Sequence, residues 1–208
     1  MKTVLSLRSV HQRGRGHCRG AALADILVEG ERTGRLIEDL LIMARADSGA
    51  AQLVMEPLDL SEPLLKACEQ GAALAESKGH RFTWNVPQSP ATMVLGDRDA
   101  IRRLFFILID NAVKYTPPGG HIEVEVEAIR RDARVVVRDS GIGIAPEDLE
   151  HIFERFYRAD KARQRDSGGT GLGLSIGQWI ASMHHADVRV ESELGRGAAF
   201  SVTFPALA

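Results

Sequence analysis

Residues 101–120, IRRLFFILIDNAVKYTPPGG, are the stretch that decides the fold. Apolar side chains recur in it at helical spacing, including Leu104, Leu108 and Ala112, so it predicts an amphipathic helix with a buried stripe. The prolines and glycines of residues 116–120 end that helix and open a loop. The stretch therefore predicts a core helix that leads directly into a turn.

The last turns of this helix carry a polar cluster that a core helix does not need. The cluster consists of Asp110, Asn111, Lys114 and Tyr115. An amide that can ligate a hard cation lies one turn before an ammonium that can meet a phosphate, and an aromatic ring that could lie against a base follows. Taken alone, the pattern is as compatible with an ordinary core helix as with a ligand site.

Length, charge and hydropathy narrow the class of protein. The 208 residues suffice for one domain of ordinary size plus a short appendage. Lysines and arginines number 26 against 28 acidic residues, and the resulting net charge of −2 argues against a general nucleic-acid binder. We find no apolar run long enough to cross a bilayer and no signal-peptide core, so we expect a cytoplasmic protein. Cys18 and Cys68 lack metal-like spacing and fit a reducing compartment.

The chain divides by composition into three segments. Residues 1–20 are basic and broken by glycines, which predicts a disordered or poorly specified lead-in. Within residues 21–50 an apolar stripe predicts a long helix, which needs a covering partner either on the same chain or in a homodimer. Residues 51–208 mix helix and strand patterns and predict the compact domain.

The compact domain is predicted to have an α+β fold. Helical patterns lie at residues 61–78, from about residue 146, and at residues 172–185. Strand patterns lie at residues 81–86, 121–128, 133–139, 187–191 and 198–204. Ser61 and Asp97 are placed to cap helices. Because strands at hairpin spacing mix with helices, we expect a mixed, mainly antiparallel sheet with helices on one face.

The segment DSGIGI, residues 139–144, ends a strand with an acid and two glycines. The strand would fix the carboxylate of Asp139, and Gly141 and Gly143 would let the backbone approach a flat ligand closely. A buried carboxylate can accept a hydrogen bond from an exocyclic amine. The same residue types are also common in plain turns.

A glycine-rich loop, GGTGLGL at residues 168–174, opens the last predicted helix. Such a loop offers backbone N–H groups and the positive end of the helix dipole to a phosphate. It is neither a Walker loop nor a dinucleotide fingerprint, because the lysine motif and the preceding strand are missing. By itself it is weak support for a phosphate site.

An aromatic and basic segment, IFERFYR at residues 152–158, lies between these two motifs. Its aromatic residues could anchor a loop while Arg158 faces phosphate oxygens, or they could simply belong to the core. The polar residues 159–167 that follow are typical of a mobile lid beside a phosphate site.

Taken in order, these motifs resemble one family. DNAVKYTPPGG, DSGIGI, IFERFYRAD and GGTGLGLSI are similar to the N, G1, F and G2 boxes of the ATP-binding domain of bacterial sensor histidine kinases. RLIEDLLIMARADSG resembles the second helix of that family's dimerisation domain, and EPLDLSEPL resembles the junction after it. The resemblance covers about residues 31–205.

The resemblance implies a Bergerat α/β sandwich that binds ATP with Mg²⁺. Asn111 would bind the Mg²⁺ that bridges the phosphates, Lys114 would contact phosphate, and Tyr115 would pack near the nucleotide. Asp139 would bind the adenine amine.

The remaining implied contacts come from glycines and one arginine. The residues that would shape the adenine pocket are Gly141 and Gly143. Those that would bracket the triphosphate under the lid are Arg158, Gly169, Thr170, Gly171, Leu172 and Gly173.

Two features depart from the family pattern. Ile107 stands one turn before Asn111, where many members carry a second polar residue, and it cannot ligate a metal. The family's phosphoacceptor is a histidine followed by an acid, and no histidine here has that neighbour. The seven are His11, His17, His80, His121, His151, His184 and His185.

The implied function is transfer of the ATP γ-phosphoryl group to a histidine, and then to a response regulator. Because the acceptor is missing, acceptor domain and regulator are expected in trans, and we assign no catalytic residue. Three alternatives stay open: a nucleotide-binding module without phosphotransfer, an anti-sigma-type serine kinase, and a gyrase- or chaperone-type ATPase. The last ranks lowest, because those proteins use a glutamate where Ile107 stands.

Overall fold

The computed structural model describes residues 30, 33–49, 51–87, 92–129, 132–159 and 169–207. The predicted lead-in over residues 1–20 lies outside this part of the chain. Two compact units are present, Met1–Leu41 and Ile42–Ala208. In the first unit the described residues 33–41 are helical, and Ile37 on this helix is about half exposed. The helical residues 33–47 are labelled α1, and Met43, in the second unit, is buried.

The second unit contains seven strands and three further helices within the described residues. The helices are α2 (Ser61–Ser77), α3 (Arg98–Tyr115) and α4 (Gly173–Met183). The strands are β1 (Glu56–Asp59), β2 (Arg81–Asn85), β3 (Met93–Gly96), β4 (His121–Ile129), β5 (Asp132–Asp139), β6 (Asp187–Glu193) and β7 (Gly197–Pro205).

Five strands form the main sheet, in the order β2-β4-β5-β7-β6. Only the β2–β4 pair is parallel, and the other neighbours are antiparallel. The alternating residues of β4 place Ile122 and Val124 in the core, and Val124 pairs with the buried Val137 of β5. This arrangement confirms the predicted α+β class with a mixed, mainly antiparallel sheet.

A second, two-stranded sheet pairs β1 with β3 antiparallel. Neither strand was predicted from the sequence, because each has only four residues and its alternation is too short to be recognised. Leu58 and Val94 occupy paired positions in this sheet and both are buried.

Helix α3 is the centre of the core, as its sequence predicts. Leu104 and Leu108 are buried, and the helix packs between α2 and α4. Fully burying one leucine side chain stabilises the folded state by about 1.5–3 kcal/mol, so the buried stripe fixes α3 in the core. The Asp97 carboxylate accepts a hydrogen bond from the Ala100 N–H at 2.9 Å, which confirms the predicted cap.

Two local predictions were wrong. Ser61 is the first residue of α2 and not its N-cap, because its hydroxyl donates to the Pro87 carbonyl at 3.2 Å instead. Residues 146–155 form successive turns and no regular helix. Their hydrogen bonds include three-residue spans such as Leu149 N–H to the Pro146 carbonyl, and Phe156, with φ of 63°, ends the turns in a conformation that no α-helix contains.

Candidate nucleotide site

The polar cluster of α3 lies on a half-buried stripe beside its buried face. Asp110, Asn111 and Lys114 are all partly exposed, whereas Ala112 and Val113 point into the core. The Lys114 ammonium forms an ion pair with the Asp110 carboxylate one turn earlier. This ion pair was not predicted from the sequence, where Asp110 is only one member of the polar cluster, although the four-residue spacing that permits the pair is visible there.

Asp139, the last residue of β5, is held by backbone donors. Its carboxylate accepts the Gly141 N–H at 2.8 Å. Burial raises the pKa of this carboxyl, and the backbone hydrogen bonds from Gly141 and Ala198 act in the opposite direction. A carboxylate has about four lone-pair sites, so Asp139 can accept a further hydrogen bond from an amine.

A hydrogen bond joins the C-terminal end of α3 to the loop that follows Asp139. The Ile142 N–H donates to the Tyr115 carbonyl at 3.1 Å. A Cβ at Gly141 would lie 2.5 Å from both the Tyr115 carbonyl oxygen and Asp139 Oδ1, so only glycine permits this approach. The Tyr115 side chain is about two-fifths exposed and is therefore accessible to a ligand.

A second group of glycines packs backbone against backbone next to Asp139. Gly143 has φ of 69°, and a Cβ there would lie 2.1 Å from the Glu193 carbonyl oxygen. Gly197 has φ of 94°, and a Cβ there would lie 1.9 Å from the Asp139 carbonyl oxygen. The packing of the β6–β7 turn against the end of β5 was not predicted from the sequence. The two glycines of the GRG segment in that turn could have indicated it.

The glycine-rich loop is tied to the aromatic and basic segment before it. The Phe156 N–H donates to the Gly171 carbonyl at 2.9 Å, and Arg158 Nη1 donates to the Gly169 carbonyl at 2.9 Å. The Thr170 hydroxyl accepts the Leu172 N–H at 3.2 Å. Arg158 therefore contacts the loop that the sequence predicted to bind phosphate. The predicted lid over residues 159–167 lies outside the described residues except for residue 159.

Helix α4 begins at Gly173, directly after this loop, as the sequence predicts to within one residue. A Cβ at Gly173 would lie 3.5 Å from Ile107 Cγ2, and one at Gly177 would lie 3.8 Å from the same atom. Ile107 therefore faces the first turns of α4.

The donors of this site fit a phosphate-bound Mg²⁺ better than a protein-held metal. Within the described residues no group of three or more histidines, cysteines, aspartates and glutamates could hold a metal ion. Mg²⁺ usually keeps several waters and binds to one or two protein groups together with substrate phosphates. The Asn111 amide oxygen could serve as one such group.

None of the helices in the described ranges is long and apolar enough to cross a membrane.

The family model for histidine kinase-, DNA gyrase B- and HSP90-like ATPases matches residues 96–208, more than half of the chain. The matched range contains α3, Asp139 and the glycine-rich loop. The chain belongs to this family, and the matched residues 96–208 lie in its ATP-binding domain.

The curated relatives that match the chain are sensor histidine kinases. The sensor histidine kinase RppB of Synechocystis is 36% identical over 177 residues, which are 85% of this chain and 39% of RppB. The sensor-like histidine kinase SenX3 of Mycobacterium tuberculosis is 33% identical over 182 residues, 88% of this chain and 44% of SenX3. The chain thus spans less than half the length of these relatives.

Solved histidine kinases share the fold. Full-length ShkA, crystallised with AMPPNP, matches with a TM-score of 0.77 and 30% identity over 90% of this chain and 39% of ShkA. The mycobacterial sensor histidine kinase MprB matches with a TM-score of 0.61 and 28% identity over 74% of this chain and 98% of the MprB chain.

Proposed function

We propose that this chain binds ATP with Mg²⁺ and transfers the γ-phosphoryl group to a histidine supplied by another polypeptide. The observation that carries the proposal is the hydrogen bond between the Ile142 N–H and the Tyr115 carbonyl. It joins the helix end that carries Asn111 and Lys114 to the loop that follows Asp139. Groups suited to a metal, a phosphate and an adenine amine therefore lie on two connected elements, the C-terminal end of α3 and the end of β5.

In this proposal each group has one role in positioning the nucleotide. Asn111 would ligate the Mg²⁺ that accompanies the phosphates, and Lys114 would contact phosphate. Asp139 accepts the adenine amine, while Gly141 and Gly143 shape the adenine pocket.

The triphosphate is bracketed by the glycine-rich loop. Arg158 and the backbone of Gly169, Thr170, Gly171, Leu172 and Gly173 supply its donors. Mg²⁺, when bound, neutralises charge on the transferred group. The residues of this chain orient the phosphates and exclude water, and none acts as a general base.

The acceptor histidine and the response regulator are proposed to be separate partners. His80 and His184 are buried, so they are unsuitable as acceptors. The apolar stripe of α1 suits a second helix of an acceptor hairpin or a second copy of this chain.

Binding of AMPPNP with and without Mg²⁺ tests the nucleotide site. We expect wild type to bind in a Mg²⁺-dependent manner and Asn111→Ala to lose most of the affinity. Asn85→Ala is the matched control, because Asn85 is exposed on β2. Failure of the wild type to bind would overturn the proposal.

Phosphotransfer is tested by adding a histidine-bearing acceptor hairpin in trans with labelled ATP. Acid-labile label on the hairpin supports a split histidine kinase. Nucleotide binding without transfer identifies a binding module, which the apolar Ile107 beside Asn111 favours. Acid-stable label on a protein identifies a serine kinase.

A further inference from the structure

We infer that Asp110 is a positioning residue for the nucleotide phosphates, and that it acts through Lys114. The inference rests on the proposed ATP site. It concerns a carboxylate that neither the family resemblance nor the sequence pattern gives a role, and it starts from the ion pair between these two side chains.

The pair is better shielded from solvent than an ordinary helix-surface pair. The side chains of Lys114 and Asp110 are 19% and 21% exposed, whereas Arg102 and Asp99 on the same helix form a pair whose members are 34% and 88% exposed. Water and salt screen a shielded pair less, so its geometry is held more firmly. The acid also precedes the lysine by four residues, the favourable order on a helix.

An ammonium has three N–H donors, and one carboxylate does not use all of them. Asp110 can therefore keep its contact while Lys114 directs its remaining donors to phosphate oxygens. A lysine already held in one conformation loses less rotamer freedom when the nucleotide arrives. Asn111, the proposed metal ligand, follows Asp110 directly on the same partly exposed stripe.

The Asp110 carboxylate also has an effect that opposes nucleotide binding, and the two effects predict opposite results for its removal. A carboxylate beside a triphosphate repels it, and it competes for the same ammonium. If competition dominated, removal of the carboxylate charge would tighten nucleotide binding. If positioning dominates, the same change weakens it.

The decisive experiment measures AMPPNP and adenosine binding to wild type and to Asp110→Asn in the presence of Mg²⁺. We expect the Kd for AMPPNP to rise about five- to tenfold, a typical coupling between contacting charged groups. The Kd for adenosine, which has no phosphates, should stay the same. Asp99→Asn is the matched control: it removes the other acid of α3, at an exposed position, and should change neither Kd.

A double-mutant cycle shows whether Asp110 acts through Lys114. In the Lys114→Ala background, Asp110→Asn should cause no further loss of AMPPNP affinity. An unchanged or lower Kd for AMPPNP in Asp110→Asn overturns the inference, and so does an equal loss of adenosine binding, which would mean general damage to the pocket. Absence of binding by the wild type would instead remove the proposed site itself, and the inference with it.

Discussion

The Arg155 guanidinium donates two hydrogen bonds to the Asp47 carboxylate, and the one from Nη1 to Oδ2 measures 2.6 Å. Asp47 is the last helical residue of α1, and Arg155 directly precedes Phe156, whose N–H is bonded to Gly171. The end of α1 is thereby connected, through two residues, to the glycine-rich loop.

Removing this salt bridge should have a small and salt-sensitive effect. Both side chains are about half exposed, and exposed pairs contribute little. The hydrogen bond from Arg155 lowers the pKa of Asp47, so the pair stabilises the fold above the ordinary aspartate pKa and is lost as the pH falls through the folded value.

Thermal unfolding of Asp47→Asn against wild type checks this. We expect a slightly lower Tm at neutral pH, and the difference should vanish in acid and shrink in about 1 M salt. A difference that persists under both conditions would contradict the ion-pair explanation.

Gly171→Ala should damage both folding and nucleotide binding. Gly171 has φ of 73°, and a Cβ there would lie 2.8 Å from the Phe156 carbonyl carbon. A strained backbone position of this kind costs about 1–3 kcal/mol. Urea unfolding and AMPPNP binding measure the effect. Gly169→Ala is the control, because a Cβ at Gly169 meets nothing within 4 Å, and equal losses in both variants would show that the close approach is unimportant.

His184 should make stability depend on pH. Its Nδ1–H donates to the Ile180 carbonyl at 2.7 Å, and Nε2 accepts the Asp97 N–H at 2.9 Å, so the folded protein holds the neutral ring. Burial lowers the pKa of His184 below its ordinary value. The unfolded chain then binds the proton more readily, and the stability from this group falls as the pH drops from about 6.5 towards the folded pKa.

Urea titrations of wild type and His184→Gln between about pH 5 and 8 check this prediction. Glutamine can keep a hydrogen bond but does not titrate, so the variant should lose less stability on acidification. Parallel pH profiles for the two proteins would contradict it.

Asp139 should set the preference for adenine over guanine. A carboxylate accepts from the exocyclic amine of adenine but faces an oxygen of guanine, and two acceptors cannot pair. Asp139→Asn supplies an amide that can donate to that oxygen. Competition of ATP and GTP for the AMPPNP site should show that the preference for ATP falls by about tenfold or more. An unchanged ratio would mean that Asp139 does not contact the base.

Much of the fold and of the site could be predicted from spacing. The α3 stripe, the glycines after β5 and the loop before α4 each follow from local chemistry, and a hydrogen bond from the Ile142 N–H to the Tyr115 carbonyl joins the first two. The partner of Lys114 could not be predicted, because a lysine four residues after an aspartate can face either that acid or a ligand. Strands β1 and β3 were missed, because their pairing is set by contacts distant in sequence.

The contacts of Gly143 and Gly197 have a consequence for inhibitor design. Main chain packs directly against main chain at these two glycines, so neither position tolerates a residue with a side chain. If a compound formed its hydrogen bonds with these backbone groups, few side-chain substitutions in the protein could disrupt its binding. Resistance would instead require a displacement of the β6–β7 turn.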